Sequence, residues 1–323
     1  MPRTRGRTPE PRAERPSRSG GRRVRWFQQQ WLHLALGLLV AVLAITWAGQ
    51  RATDGVRANL DTRLRDGGAG ADAALVTLEA EHLSALRAIT FTTGVGNALA
   101  AHDSATLNRL VTPLQANSSV PMVDIVLPDG RVELAVRSKG APAPVASRAG
   151  MPAIAQALRQ ARGHRGGRFS EVVIFRSGPT IVTVGPIRSG SKAVGVVLVM
   201  TPLADALGRL SQQVAADLTA YDTVGHAIAT TASFTPGAIG PYEARALIGG
   251  AAILTRYVHG REREALGRLI LDHQPVAVLG VSLKDNSSST GRAVRLYAAL
   301  GLVGAVLIFA AFSARVANRR WPT

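Results

Sequence analysis

The sequence contains none of the residue combinations that commonly carry out catalysis. It has no cysteine, which excludes a cysteine nucleophile, thiolate zinc sites and iron–sulfur centres. Neither the G-x-S-x-G pattern of a nucleophile elbow nor the H-E-x-x-H pattern of a zinc protease occurs, and the seven histidines are scattered. We therefore expect no catalytic residues, no metal site and no cofactor.

Two glycine-rich segments imitate nucleotide-binding loops but lack the pattern that surrounds such loops. Gly185–Lys192 has the glycine spacing of a phosphate loop, yet its Lys and Ser stand in reversed order and no helix follows. Gly68–Ala73 imitates a dinucleotide fingerprint without a strand before it. Neither segment predicts a nucleotide site.

Four polar residues on predicted strands are candidates for binding a small molecule in an otherwise apolar cleft. They are Arg137, Arg168, Glu171 and Thr183. Arg137 and Arg168 would hold a carboxylate or a phosphate through bidentate hydrogen bonds. The alternative interpretation is that these arginines are solvated charges at strand ends, or that they pair with Glu171 for structural reasons.

The segment from residue 50 to about residue 110 has a helical pattern of apolar residues. His82 lies on the same stripe as the apolar residues, so we interpret it as a partly buried helical histidine. Glu79 and Glu81 do not make it a metal ligand, because side chains at i and i+2 point apart on a helix. The apolar stripe consists of Leu75, Leu78, Leu86 and Ile89.

After residue 119 the pattern changes from helical to strand-like, and the new pattern occurs twice. Each half begins with a hairpin and ends with an apolar strand, at a spacing of about 80 to 95 residues, which predicts one α+β unit used twice. The predicted strands are Met122–Leu127, Val132–Val136, Phe169–Phe175, Thr180–Ile187, Val194–Met200, Leu218–Tyr221, His226–Thr230, Leu269–Leu271 and Val276–Leu283, and the predicted helices between them are Pro152–Arg159 and Pro202–Val214.

Charge and hydropathy together predict that both ends of the chain lie at a membrane. The chain has 38 Lys+Arg against 21 Asp+Glu, and nine of the arginines lie in its first 26 residues. Two apolar segments, residues 29–49 and 296–314, are each long enough to cross a bilayer core of about 30 Å as a helix. Because basic residues beside a span stay in the cytoplasm, we expect both termini inside and residues 50–292 outside.

The first apolar segment and the arginines before it have alternative interpretations. A cleaved signal peptide is the alternative to a membrane span, but Trp47 occupies the position where a small cleavage-site residue is needed. The arginines match no nucleic-acid reader motif, and attraction to anionic lipid accounts for them, so we expect no nucleic-acid partner. Small residues along the span would let two copies approach closely in a homodimer, namely Gly37, Ala41, Ala44 and Ala48.

Several motifs, in this order between the two spans, resemble the double-Cache extracytoplasmic sensor region of bacterial transmembrane receptors. They are Asp129-Gly130 after the first strand, Met151-Pro152 before a helix, Gly185-Pro186-Ile187, GVVLVMTPLADAL at residues 195–207 and PVAVLGVSL at residues 275–283. The resemblance implies a long stalk helix along two stacked PAS-like modules. It also implies that a small ligand is held in the membrane-distal module, here residues 111–215.

The sequence departs from this family in two respects. The subgroup that binds amino acids uses Tyr, Arg, Trp and Asp at set places, but residues 151–159 contain no Trp or Tyr, and Val172–Phe175 stands where a Tyr and an Asp are expected. An amino-acid ligand bound in that way is therefore not predicted. Only Val316–Thr323 follows the second span, so the output would lie in a separate cytoplasmic signalling protein, or the chain is a truncated receptor.

The sequence thus predicts an α+β protein of two stacked PAS-like Cache modules on a long stalk helix, flanked by two transmembrane helices. We expect a sensor in a bacterial inner membrane that binds a small ligand and is not an enzyme. The alternatives are an envelope scaffold that does not signal and, after it, an anchored enzyme. The expected segments are 1–28 (disordered, basic), 29–49 (first span), 50–110 (stalk helices), 111–215 (distal module), 216–285 (proximal module), 286–295 (linker), 296–314 (second span) and 315–323 (cytoplasmic tail).

Overall fold

The computed structural model describes residues 20–162, 168–259 and 262–319. Contacts divide the chain into two units: Arg57–Asn286 forms one, and the segments before and after it form the other. The helices are α1 (Gly20–Phe91), α2 (Val95–Ala100), α3 (Ser104–Ala116), α4 (Pro152–Arg162), α5 (Leu203–Val214), α6 (Pro241–Ile248) and α7 (Ser287–Arg319). The strands are β1 (Met122–Val126), β2 (Val132–Arg137), β3 (Phe169–Phe175), β4 (Gly178–Ser189), β5 (Lys192–Pro202), β6 (Asp217–Tyr221), β7 (Ala227–Thr230), β8 (Leu254–Val258), β9 (Glu262–Leu271) and β10 (Gln274–Lys284).

The unit of flanking segments contains the first part of α1 and all of α7. Each of these helices has an apolar window with a mean hydropathy of 1.3, and its side chains are largely exposed, as at Leu39 (56%). The helices contact each other at two glycines: a Cβ at Gly49 would lie 2.8 Å from Cγ of Arg295, and one at Gly291 would overlap Thr53. Both helices are long and apolar enough to cross a membrane.

The two long helices extend beyond the predicted spans. Helix α1 begins at Gly20, so residues 20–28, which were expected to be disordered, are helical; residues 1–19 lie outside the described residues. Helix α7 begins at Ser287, so most of the predicted linker 286–295 is its first turns. Arginine is a good helix former, and Ser is favoured at helix N-termini, which makes both extensions compatible with the sequence.

The predicted stalk helices of residues 50–110 are the later part of α1, all of α2 and the first part of α3. Helix α1 ends at Phe91, and Gly94 takes a left-handed conformation (φ 96°) that turns the chain into α2. Helix α3 starts at an Asp103 N-cap, whose carboxylate accepts a hydrogen bond of 2.9 Å from the backbone N–H of Thr106.

The two antiparallel sheets have the same strand order. Sheet 1 (β1–β5) is ordered β2-β1-β5-β4-β3, and sheet 2 (β6–β10) is ordered β7-β6-β10-β9-β8. The α+β class and the repeated unit are therefore confirmed, and all nine predicted strands are present. Helix α6 and strand β8 were not predicted, because their polar and exposed residues give no clear apolar period.

Equivalent glycines form the first hairpin of each sheet. Gly130 (φ 89°) lies between β1 and β2, and Gly225 (φ 95°) lies between β6 and β7. A Cβ at position 130 would lie 2.5 Å from the backbone of Ala149. A Cβ at position 225 would overlap the backbone carbonyl of Ile239. Glycine is required at both because of the positive φ and the close approach.

Sheet 1 is covered on both faces. One face packs against α1, α2 and α3, as shown by the buried cluster of Leu86, Ile89, Leu99, Leu107, Val123, Ile125, Val197 and Val199. The other face packs against α4, with a buried cluster of Met122, Val126, Ala153, Ile154, Ala157, Val182, Val184, Leu198 and Met200. Successive residues of a strand point to opposite faces, so each central strand contributes to both layers.

Sheet 2 is covered in the same way. The face toward α1 and α5 contains Leu64, Leu75, Leu78, Leu207, Leu218, Leu269 and Leu279. The face toward α6 contains Tyr221, Ile239, Ala244, Leu247, Leu266 and Val278.

Candidate ligand-binding site

Sheet 1 has a cavity of about 630 Å³ on the face that packs against α4. It lies between β1, β2, the end of β3 and the loop of residues 138–151, which connects β2 to α4. This volume is in the range of small-molecule sites. Its lining includes the side chains of Met122, Arg137, Val145, Ser147, Arg148, Met151, Val173, Phe175, Arg176 and Ser177.

A buried carboxylate beside this cavity holds two of its arginines. Asp124, in the middle of β1, is fully buried. Its Oδ1 lies 2.5 Å from Nη2 of Arg137, and its Oδ2 accepts hydrogen bonds from Nε (3.0 Å) and Nη2 (2.8 Å) of Arg148. A buried carboxylate needs such partners because desolvation otherwise makes its charge very costly. The cluster of one carboxylate and two guanidiniums keeps one net positive charge.

Further contacts fix both guanidiniums at the cavity wall. Arg137 donates from Nη1 to the carbonyls of Val123 (3.1 Å) and Val136 (2.9 Å). The Arg148 guanidinium lies 4.3 Å from the ring centre of Phe175, a cation–π contact, and its Nη2 lies 3.7 Å from Sδ of Met200. The backbone N–H of Arg148 also donates to Gly130 (2.7 Å), which holds the loop against the first hairpin.

The structure brings one of the four predicted ligand residues, Arg137, to the cavity. Arg168 is exposed just before β3 and is not part of the lining, and neither is Glu171, which is half-buried on β3. Burial raises the pKa of the Glu171 carboxyl. Thr183 is fully buried on the opposite face of the sheet. Arg137 and Glu171 lie on the two edge strands, so they do not pair with each other.

Arg148, Asp124 and Phe175 lie at or beside the candidate cavity and were not named in the sequence analysis. Asp124 gave a usable signal, because a single acid within the apolar run MVDIV implies a buried cation partner. Arg148 gave none, since it comes from a loop rich in Ala and Pro whose path depends on contacts that are distant in sequence.

His82 joins α1 to the two strands at the other face of sheet 1. It is fully buried; its Nδ1 lies 3.0 Å from Oγ1 of Thr183, and its Nε2 lies 2.8 Å from Oγ1 of Thr201. Ser170 bonds to the same Thr183 hydroxyl at 2.9 Å. Burial first, and then the charge of Arg209, lowers the pKa of His82 to about 4. The histidine is therefore neutral and more completely buried than predicted.

The corresponding face of sheet 2 is filled by side chains. The hydroxyl of Tyr221 donates to Oε1 of Glu264 (2.7 Å), and Arg256 donates to Oε2 of Glu264 (2.8 Å) and to the Tyr221 hydroxyl (2.9 Å). Arg256 also donates to the carbonyls of Gly237 and Ala238. Tyr221 and Glu264 are fully buried, so this network closes the space that is open in sheet 1.

Within the described residues, no group of three or more His, Asp or Glu side chains could hold a metal ion. The open cavity offers positive charge, two hydroxyls and an apolar wall. This arrangement suits reversible binding of a small anion.

Solved structures with the same fold are sensor domains. No family model and no curated protein matches the sequence. The extracellular domain of vpHK1S-Z8, a protein assigned as a histidine kinase, matches at 11% identity and a TM-score of 0.51 over 73% of this chain and 97% of its own. The ligand-binding domain of the Campylobacter jejuni chemoreceptor Tlp3, in complex with 4-methylisoleucine, matches at 12% identity and a TM-score of 0.50 over 73% and 93%.

A domain from Vibrio parahaemolyticus, assigned to the sensory box/GGDEF family, matches at 10% identity and a TM-score of 0.50 over 74% of this chain and 99% of its own. At these identities the likeness defines the fold and not the ligand. The chain therefore has the double-Cache-like fold that its motifs resemble, with two apolar helices flanking the α+β region.

Proposed function

We propose that the protein is a membrane-anchored receptor that binds a small organic anion in the cavity of sheet 1. The observation that carries this proposal is the arginine-lined cavity of about 630 Å³ above the buried Asp124. A cavity of this size favours the sensor over the envelope scaffold, for which a filled distal module is expected.

The charges at the cavity determine the class of ligand. Its lining contains three arginines, Arg137, Arg148 and Arg176, and no acidic side chain. The buried carboxylate of Asp124 beside the cavity balances one of these charges, which leaves an excess of two positive charges. Guanidinium groups recognise carboxylates and phosphates in bidentate geometry. A carboxylate or phosphate ester with a short apolar part therefore fits the cavity better than a neutral or cationic molecule.

Strand β5 would link the cavity to α1. Arg148 contacts Met200 on the cavity face of β5, and the next residue, Thr201, bonds to His82 of α1 on the opposite face. An anion that draws Arg148 away from Asp124 would act on β5 at Met200, and a shift of β5 changes the position that His82 holds. Binding would thus favour one of two arrangements of α1 relative to sheet 1.

The membrane arrangement is part of the proposal. The apolar windows of α1 and α7 would lie in the inner membrane, with both termini in the cytoplasm and residues 50–292 outside. The signal would pass to a separate cytoplasmic signalling protein, and small residues of α1 support a homodimer.

A thermal-shift screen of the full chain in detergent tests the ligand class. Short carboxylates and phosphate esters should raise the unfolding temperature by mass action, whereas amines of the same length should not. Arg176→Gln, which changes an exposed cavity residue, should weaken the response roughly tenfold in ligand concentration. Arg168→Gln is the matched control, because this exposed arginine at the other end of β3 is outside the cavity. A flat response to every anion, or equal losses in both variants, would contradict the proposal.

A further inference from the structure

A second cavity, of about 450 Å³, lies between α1 and sheet 2. Most of its floor is on the face of sheet 2 opposite the Tyr221–Glu264 network, and at the edge of β9 it extends to residues 250–253 and to Arg268, whose position alternates to the other face. Its floor is apolar and includes Leu64, Ala265, Leu279 and Val281, with Ile253 and Ile270 at the side. Its edge carries three charged side chains: Arg65 and Asp72 on α1 and Arg268 on β9. The cavity shares no residue with that of sheet 1.

One glycine in the middle of α1, Gly68, leaves this space open. Gly67 and Gly70 are needed for packing, since a Cβ would lie 3.1 Å from a methyl of Val281 in the first case and 3.0 Å from a methyl of Val214 in the second. Packing does not require a glycine at Gly68, because nothing lies within 4 Å of the position that its Cβ would take. Gly68 lines the cavity. Glycine weakens a helix relative to alanine, so helix formation does not explain Gly68. The absence of a side chain at Gly68 leaves part of the cavity volume unfilled.

The charged edge prefers an anion. Two arginines and one carboxylate give it one net positive charge. Burial raises the pKa of Asp72, and the nearby positive charge of Arg268 opposes that rise. Asp72 and Arg268 thus partly balance each other, and Arg65 supplies the excess charge at the opening. The apolar floor below can take an alkyl chain.

We propose that this cavity is a second binding site, for a small monocarboxylate with a short alkyl chain. The carboxylate lies at Arg65 and Arg268, and the chain lies on Leu64, Leu279 and Val281. The site differs from that of sheet 1 in its smaller excess of positive charge. It places a ligand directly against α1.

The test uses pentanoate as the probe, pentylamine as the cation of equal length, and the full chain in detergent, with binding followed by ligand-observed NMR. The Cβ of Gly68→Leu would enter open space, and its side chain would occupy volume of the cavity, so the substitution should weaken pentanoate binding to this site at least roughly tenfold. Gly208→Leu is the matched control: Gly208 is inside α5, has nothing within 4 Å of its Cβ position and lies outside both cavities. Both substitutions favour the helix, so a raised unfolding temperature shows that lost binding is not lost folding.

Because the cavity of sheet 1 also favours short carboxylates, binding is measured in the Arg176→Gln background. There we expect saturable pentanoate binding that Gly68→Leu removes, that Arg268→Gln weakens and that Gly208→Leu leaves unchanged. Pentanoate that does not saturate, whose affinity Gly68→Leu leaves unchanged, or that binds no better than pentylamine overturns the proposal. Binding that Arg176→Gln removes and Gly68→Leu retains also overturns it. That last outcome assigns pentanoate to the cavity of sheet 1 and leaves the proposed function standing.

Discussion

The buried histidine of α1 predicts a specific loss of stability in mild acid. His82 has a pKa of about 4 in the folded protein against 6.5 in an exposed histidine, with burial the larger cause and Arg209 the smaller. The unfolded chain therefore takes up a proton near pH 6.5, and the folded chain does so only near pH 4. The contribution of His82 to the free energy of unfolding is therefore fully present above pH 6.5. It falls as the pH drops toward 4 and does not change further below that.

The size of the loss follows from the same two pKa values. Each unit of pKa corresponds to about 1.4 kcal/mol, so the full loss between pH 6.5 and pH 4 is roughly 3 kcal/mol. This is a large part of the 5–15 kcal/mol that is typical of folded domains, by order of magnitude. The steepest slope is about 1.4 kcal/mol per pH unit, because one proton is involved.

Urea unfolding of the full chain, followed by circular dichroism from pH 7.5 to pH 4.5, measures this loss. Carboxylates contribute their own slope, so the informative quantity is the difference between the unsubstituted chain and His82→Gln. The variant loses a hydrogen bond to one of the two threonines and should be less stable at pH 7.5 by about 1–3 kcal/mol. Its stability should then fall less in acid, so the difference between the two chains should change by about 2–3 kcal/mol by pH 4.5 and close or reverse in sign.

Gln212→Ala is the control, because Gln212 is exposed on α5 and carries no titrating group, so its replacement should leave the acid slope unchanged. Parallel curves for the unsubstituted chain and His82→Gln would refute the reasoning. They would mean that His82 is protonated as easily in the folded chain as in the unfolded one.

Three further predictions concern stability and use urea unfolding at pH 7.5. Asp124→Asn should destabilise the chain by about 3 kcal/mol, since it leaves two guanidiniums without their buried counter-ion; a change below 1 kcal/mol would contradict the assigned pairing. Gly225→Ala should cost more than about 1 kcal/mol because of its positive φ and the overlap with backbone, whereas Gly178→Ala, at φ 114° in open space, should cost less; equal costs would count against the close approach. Tyr221→Phe should cost about 1–2 kcal/mol by leaving Glu264 with one partner fewer, and a neutral result would mean that the hydroxyl is not buried as described.

Local patterns were sufficient for most of sheet 1 and part of sheet 2. Phe169–Phe175 was predicted with the bounds that the structure has, because alternation of apolar residues and flanking turns specify a strand without distant contacts. Strand β8 has exposed Leu254 and Tyr257, so its residues do not alternate clearly, and it was missed. Residues 254–258 form a strand because they pair with β9, and this pairing depends on tertiary structure.

The candidate site was predicted less well than the fold. Of the predicted ligand residues, Arg137 lies at the candidate cavity, whereas the Thr183 side chain points to the other face of the sheet; the ligand role of both stays a prediction. A one-residue difference along a strand reverses the face. Arg148 could not be found, since its partner Asp124 is 24 residues away and the intervening loop has no pattern.

Composition and apolar period alone determined the two apolar helices, the α+β class and the repetition of one unit, because these depend on neighbours along the chain. Whether each module contains a cavity beside its sheet or is filled by side chains was decided only by the tertiary structure. Sheet 1 keeps a cavity since Asp124 holds Arg137 and Arg148 at the wall, whereas Tyr221 and Arg256 fill the equivalent space of sheet 2. Whether space remains between elements depends on which side chains from distant parts of the chain contact each other there. These contacts cannot be predicted from a local sequence pattern.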